Sequence, residues 1–89
     1  MIERKIIITN KLGLHARAAA KLVTLASSFQ SKIELKTICK TANGKSIMSV
    51  MMLAAGKGSE ITLFIDGNDE KQAVAALEVL INQRFDETE

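Results

Sequence analysis

The residues best suited to chemistry in this chain are a histidine and an arginine two positions apart. His15 is the only histidine, and Arg17 follows it in the stretch GLHARAAAKL at 13–22. The alanine-rich run predicts a helix that begins at Ala16. His15 would then occupy the N-cap, a position where Ser, Thr, Asp or Asn is the usual choice.

The predicted start of this helix suits an anion. The N–H groups of Ala16 and Arg17 would point towards His15, and the helix dipole adds about half a positive charge. The guanidinium of Arg17 matches phosphate oxygens, and positive surroundings disfavour a protonated imidazole, so that one ring nitrogen could act as a nucleophile. Without a second acid, base or metal beside it, the pair favours a phosphoryl group that is accepted and passed on, and not an enzyme with its own substrate.

Other chemistries fit the sequence less well. NGKS at 43–46 is not a phosphate-binding P-loop, because Cys39 occupies the position of the motif's first glycine. One histidine and one cysteine cannot form a tetrahedral metal site. No aromatic residue accompanies Lys32, Lys36 and Lys40 for base stacking, so nucleic-acid binding is not expected.

Length and composition predict a single domain over residues 1–89, with 47% hydrophobic residues. The longest apolar stretch, VMMLAA at 50–55, is too short for a membrane span, and the N-terminus does not resemble an export signal. One cysteine permits no internal disulfide, which is typical of a reducing compartment. We therefore expect a cytoplasmic protein without a membrane partner.

Charge is distributed unevenly along the chain. Residues 1–59 carry ten Lys and Arg against two acids, net +8, whereas residues 60–89 carry two against eight, net −6. Two interpretations are open: the basic half binds an anionic ligand or acidic partner, or the two halves neutralise each other on folding.

Apolar periodicity predicts the order β-α-β-β-α-β-α. The predicted elements are a largely buried strand at 2–9, a helix at 16–28, a strand at 31–37, a short strand at 38–42, a helix after Ser46 that ends at Gly56 or Gly58, a strand at 59–66 and a helix at about 69–84 capped by Asn68 or Asp69. The helix stripes predicted to be buried are Ala19, Leu22, Val23, Ala26 and Phe29, then Ala73, Leu77, Leu80 and Ile81. The tail FDETE continues beyond the last helix.

Short connections and right-handed crossovers make this order an α+β open-faced β-sandwich. A four-stranded antiparallel sheet would be covered on one face by three helices. The other face, which carries Lys32, Glu34 and Lys36, would be exposed to water.

Two motifs, GLHARAAAKLV at 13–23 and GKSIMSVMMLAAGKG at 44–58, resemble the HPr family of the bacterial phosphotransferase system. The resemblance implies that His15 takes a phosphoryl group on Nδ1 from enzyme I and hands it to an enzyme IIA. Arg17 and the N–H of Ala16 would steady the phosphate. The resemblance also implies a stoichiometric carrier without a cofactor. Because a carrier must bind one partner after another, we expect a monomer.

The resemblance also suggests a regulatory site and a docking patch. Ser46 occupies the position of a serine that an HPr kinase/phosphorylase modifies in some relatives, although a plain N-cap role explains it equally. The docking patch would comprise Ala16, Ala20, Ile47, Met48 and Met51. The alternative is that two of the last three side chains point inward.

Three further questions arise from the motifs. Ala18 replaces a proline found in many relatives, so we expect a slightly less rigid helix start with transfer intact. The nitrogen-related NPr branch of the family is favoured by the stretch ITNKLGLHAR and by the acidic tail FDETE. The residues around Ser46, however, fit the sugar-transport branch equally well. Finally, the fold could serve as a regulatory interaction module whose docking face works without His15 chemistry.

Overall fold

The computed structural model describes residues 1–86, over which four strands and three helices alternate in the predicted order. They are β1 (Ile2–Ile7), α1 (Ala16–Ser27), β2 (Lys32–Lys36), β3 (Thr41–Asn43), α2 (Ile47–Met52), β4 (Glu60–Asp66) and α3 (Glu70–Asn82). A 3₁₀ turn at Arg84–Asp86 follows α3. The end of the acidic tail, 87–89, lies outside the described residues.

The strands form one antiparallel sheet in the order β1-β4-β2-β3. The last strand in sequence therefore lies in the middle of the sheet, between β1 and β2. Its register places Leu63 opposite Leu35 and Ile61 opposite Ile6. Because successive side chains alternate between the faces of a sheet, these pairs line the same side.

One face of the sheet carries the core, and the three helices cover it. The fully buried sheet residues Ile33, Leu35, Ile61, Leu63 and Ile65 pack with helix residues such as Leu22 and Leu77. On the opposite face Lys32 and Lys36 are exposed and Glu34 is half-buried. The predicted open-faced α+β sandwich is therefore confirmed.

Three predicted elements differ in detail from the structure. The short strand predicted at 38–42 is β3 at Thr41–Asn43, so it begins and ends later than expected. β1 is not largely buried: Ile6 is its only buried residue, and Ile7 is 45% exposed because it lies on the open face. Helix α2 ends at Met52, before either predicted glycine. The chain leaves the helical conformation at Ala54, whose φ is 52°.

The helices also differ slightly from the predicted stripes. In α3, Ala73, Leu77 and Ile81 are buried as expected, but Val74 is buried in place of Leu80. Helix α1 ends at Ser27, and the remaining predicted member of its stripe, Phe29, is half-buried beyond its end. Phe85, read from the sequence as part of a trailing tail, is completely buried against the core.

Candidate functional site

His15 stands at the N-cap of α1, as the sequence predicts. Its backbone is extended, with φ −74° and ψ 178°, and its carbonyl accepts the first helical hydrogen bond from the amide of Ala19 at 2.8 Å. The half-buried imidazole does not make the side-chain hydrogen bond of an ordinary N-cap residue. The backbone of His15 therefore begins the helix, and its side chain does not cap it.

The first turn of α1 is open and positively charged. Ala16 and Arg17 are exposed, whereas Ala18 and Ala19 are completely buried and anchor the helix to the core. The first turn contains no acidic residue. The positive end of the helix dipole and the charge of Arg17, two residues after His15, therefore both belong to this first turn.

The loop before His15 is held against the segment that follows α2. The amide of Leu14 donates to the carbonyl of Ala55 at 2.9 Å. Gly13 has φ 65°, and a Cβ added there would lie 2.6 Å from Cα of Gly56 and still closer to the Ala55 carbonyl oxygen. Only glycine fits this position, because a side chain would face both backbone strain and a steric clash.

Ser46 caps the second helix. Its Oγ accepts a hydrogen bond from the amide of Ser49 at 3.3 Å, and its carbonyl accepts from Val50 at 3.0 Å. The six residues of α2 span about 9 Å. Because the contact with Leu14 follows the C-terminus of α2, Ser46 and His15 belong to opposite ends of this helix.

The predicted docking patch is exposed along α2. Ile47, Met48 and Met51 are 43%, 69% and 38% exposed, and Val50 alone in this helix is buried. The alternative in which two of the three side chains point inward is therefore wrong. Ala16 is exposed and Ala20 half-buried on α1, which packs against α2.

Sequence reasoning missed two further exposed apolar side chains outside the predicted docking patch. Met52 is 67% exposed at the end of α2, and Leu12 is 66% exposed in the loop before His15. Met52 belongs to the helix predicted after Ser46, and Leu12 to the segment between the first predicted strand and helix. In both places an apolar residue lies outside any buried stripe, which was the available clue.

The described residues hold neither of two other classes of site. Within 1–86, no group of three or more His, Cys, Asp or Glu side chains is arranged to hold a metal ion. Over the same range, no helix combines the length and the apolar character needed to cross a membrane.

The fold and the site together define a phosphocarrier type of open-faced α+β sandwich, with a histidine at the start of its first helix. Residues 2–83 match the family described as the PTS HPr component phosphorylation site. The phosphocarrier protein HPr of Xylella fastidiosa is 54% identical over 87 residues, which are 98% of each chain. The chain belongs to the HPr family, the phosphocarrier proteins of the phosphotransferase system.

Solved structures agree with this assignment. HPr-C-His from Thermoanaerobacter tengcongensis superposes with a TM-score of 0.96 at 44% identity, over the whole of both chains. An HPr dimer from the same organism gives a TM-score of 0.78 at 45% identity, over 98% of this chain and 100% of that one.

Proposed function

We propose that His15 is the phosphoryl acceptor of this phosphocarrier. The observation that carries the proposal is a half-buried histidine placed at the N-cap of α1, at the positive end of the helix, with Arg17 exposed two residues later. In the forward step Nδ1 of His15 attacks phosphorus, the N–P bond forms and the bond from phosphorus to enzyme I breaks. The second step reverses this on an enzyme IIA, so one carrier delivers one phosphoryl group.

The surroundings of His15 explain how a phosphoryl group would be held. The N–H groups at the start of α1, including that of Ala16, point at the incoming oxygens and need no rearrangement. Arg17 is exposed and adds a charge-assisted contact. Since the first turn has no carboxylate, nothing in it repels the phosphate.

The exposed patch of α1 and α2 supports docking of both partners on one surface. Methionine is flexible and polarizable, so Met48 and Met51 would adapt to the two different proteins. Phosphorylation of Ser46 by an HPr kinase/phosphorylase would add about two negative charges at the edge of this patch. We infer that such a modification would weaken docking through charge and leave the chemistry of His15 in place.

A second candidate is a regulatory interaction module that binds partners through the same patch without phosphoryl transfer. The 69% exposure of Met48 favours a binding role of some kind. The two candidates differ in a chase experiment. Protein incubated with labelled phosphoenolpyruvate and enzyme I is separated and mixed with enzyme IIA. Label that is taken up and then moves to enzyme IIA supports the carrier, whereas a protein that takes no label from either the sugar-type or the nitrogen-type enzyme I supports the module.

The choice of enzyme IIA also decides the branch. We expect the nitrogen-type enzyme IIA to take the label faster than the sugar-type enzyme, and the opposite order would assign the chain to sugar transport. We further propose that residues 1–89 act as one domain and as a cytoplasmic monomer. Sedimentation at micromolar concentration tests the monomer, because the related HPr dimer provides the alternative.

A further inference from the structure

Asn10 closes the turn that leads to His15 and is completely buried. Its side-chain Nδ2 donates a hydrogen bond to the carbonyl of Gly13 at 2.7 Å. The amide of Gly13 donates in return to the carbonyl of Asn10 at 3.2 Å. A buried asparagine with such bonds is uncommon, because asparagine is mostly found at the surface. It fixes the turn from both its backbone and its side chain.

The turn is also fastened on both sides to the segment after α2. Before it, Ile8 donates to Ser59 at 2.9 Å and accepts from Gly58 at 2.7 Å. After it, Leu14 donates to Ala55 at 2.9 Å. Asn10 lies between these two attachment points, so its hydrogen bond sets the path that the chain takes from one to the other.

We propose that Asn10 is a positioning residue for phosphoryl transfer, an inference that rests on the proposed role of His15. By holding the Gly13 carbonyl, Asn10 fixes the direction in which Leu14 and His15 leave the turn. The imidazole is then aligned with the start of α1 before any partner binds. Asn10 acts through the backbone and does not touch the phosphoryl group.

The chemistry of the side chain explains why asparagine serves here. The bond to Gly13 needs a neutral N–H donor at the end of a short side chain. Serine has a shorter reach, and an ionised aspartate has no donor. Alanine would leave the buried Gly13 carbonyl without this bond, and an unsatisfied buried group is costly.

The test measures single-turnover phosphorylation by enzyme I for wild type, Asn10→Ala and Asn10→Ser. We expect the rate at saturating enzyme I to fall about tenfold, because misplacement of a reacting group by a fraction of an ångström slows transfer strongly. The enzyme I concentration that gives half the maximal rate should stay unchanged, since the patch on α2 is untouched.

The matched control is Ser31→Ala. Ser31 is also buried, and its Oγ donates to Asp69 at 2.5 Å, away from His15. This variant should lose stability and keep the wild-type transfer rate. All variants are assayed at a temperature where circular dichroism shows them folded. Equal rates for the Asn10 variants and Ser31→Ala would overturn the proposal.

Two further readouts keep the proposal testable. If Asn10→Ala does not fold, Asn10→Ser and amide hydrogen exchange in the wild type remain: slow exchange at Gly13 and Leu14 is expected, and fast exchange at both would contradict a fixed turn. Wild type that takes no label, like His15→Ala, would refute the proposed function itself. Labelled wild type with unaffected Asn10 variants would refute only the role of Asn10.

Discussion

His15 occupies a position where a helix ordinarily has a hydroxyl or a carboxylate as its cap. Without the side-chain capping bond, α1 lacks a contribution of about 1 kcal/mol to the free energy of unfolding. The buried Ala18 and Ala19 hold the first turn to the core instead. Helix stability and the proposed phosphoryl transfer therefore favour different residues at this position.

The first prediction follows from that conflict. His15→Asp should raise the free energy of unfolding by about 1 kcal/mol, because aspartate caps α1 and its charge favours the helix dipole and Arg17. The same variant should take no phosphoryl group from enzyme I. Urea unfolding followed by circular dichroism measures the stability, with His15→Ala as the uncapped control. A variant no more stable than His15→Ala would contradict this account of the N-cap.

The second prediction concerns Arg17. Arg17→Ala should slow single-turnover transfer by roughly tenfold to a hundredfold, because a charge-assisted contact to the phosphate is lost. Its exposed side chain makes the expected change in stability less than about 0.5 kcal/mol. Arg17→Lys keeps the charge without the fork and should fall between the two. Transfer by Arg17→Ala at the wild-type rate would rule out the proposed contact.

At the scale of elements, the segment after α2 both ends a helix and supports His15. Ala54 has φ 52°, a conformation that disfavours residues with a Cβ, and the next residue holds the amide of Leu14. The exposed position of Ala54 leaves room for replacement. Glycine would adopt this backbone without strain.

The third prediction is therefore that Ala54→Gly stabilises the protein. The relief of left-handed strain exceeds the extra chain entropy of glycine, so we expect a net gain of about 0.5–1 kcal/mol. Ala20→Gly within α1 is the matched control and should destabilise by about 1 kcal/mol. A loss of stability in Ala54→Gly, measured by thermal unfolding, would show that the strain at this position is negligible.

A second contact between elements joins the start of α3 to the segment between α1 and β2. The carboxylate of Asp69 accepts hydrogen bonds from the amides of Gln30 and Ser31 at 2.8 and 3.0 Å and from Ser31 Oγ at 2.5 Å. Asp69 is the N-cap residue of α3 by position, but its side chain does not cap the helix. The sequence predicted that Asn68 or Asp69 would cap α3. The side chain of Asp69 instead bonds to Gln30 and Ser31.

The fourth prediction is a pH dependence of stability. The hydroxyl of Ser31, followed by the amide of Gln30, lowers the pKa of Asp69 below its ordinary value of 3.8. A lowered folded-state pKa stabilises the protein above the unfolded value, and this contribution is lost as the pH falls through the folded value. Thermal midpoints should therefore drop below pH 4. Asp69→Asn should have a lower midpoint at pH 7 and a smaller change between pH 7 and pH 3; an unchanged pH response would contradict the assignment.

Local patterns predicted the elements well, and tertiary contacts explain what they missed. Alternation in β2 and β4 identified their buried faces, because the sheet has only one covered side. By contrast, the burial of Phe85 depends on a turn with positive φ and on Lys21, whose Nζ donates to the Phe85 carbonyl at 2.6 Å. No local periodicity encodes a contact 64 positions away in the chain.

The candidate site likewise combines residues that local sequence predicted with contacts that only the folded chain shows. His15, Arg17 and Ser46 were predicted at helix starts from residue type alone, and the structure places them there. The role of Gly13 against Ala55 and Gly56 could not be predicted in this way. It requires knowing that the segment after α2 passes behind the loop before α1.

At the scale of the whole molecule, the uneven charge is neutralised only in part. The N-terminal amine pairs with Asp66 and Glu70, and Arg4 pairs with Glu78, which joins the basic and acidic halves along β1. Lys40 and Lys45 instead donate to the carbonyls of Met52 and Phe29, at 3.0 and 2.7 Å. Both interpretations of the charge pattern thus have support, because within residues 1–86 the bonds of Lys40 and Lys45 to backbone carbonyls leave the positive charge of these two side chains in place.

The fifth prediction follows from this retained charge. If partners dock through complementary charge, raising the salt concentration from 50 to about 500 mM should increase the enzyme I concentration needed for half-maximal transfer, because exposed charges are screened. The rate at saturation should change little. Met48→Asp, which places a charge in the apolar patch, should raise the same concentration at either salt level. Docking that is independent of salt would favour a purely apolar interface.

The most direct measurement is the site and lability of the phosphoryl group. Wild type and His15→Ala are incubated with labelled phosphoenolpyruvate and purified enzyme I, then treated with acid. We expect one label per wild-type chain, lost in acid, and none on the folded His15→Ala variant. Acid-stable label, or label on His15→Ala, would place the phosphoryl group elsewhere and contradict the assignment of His15.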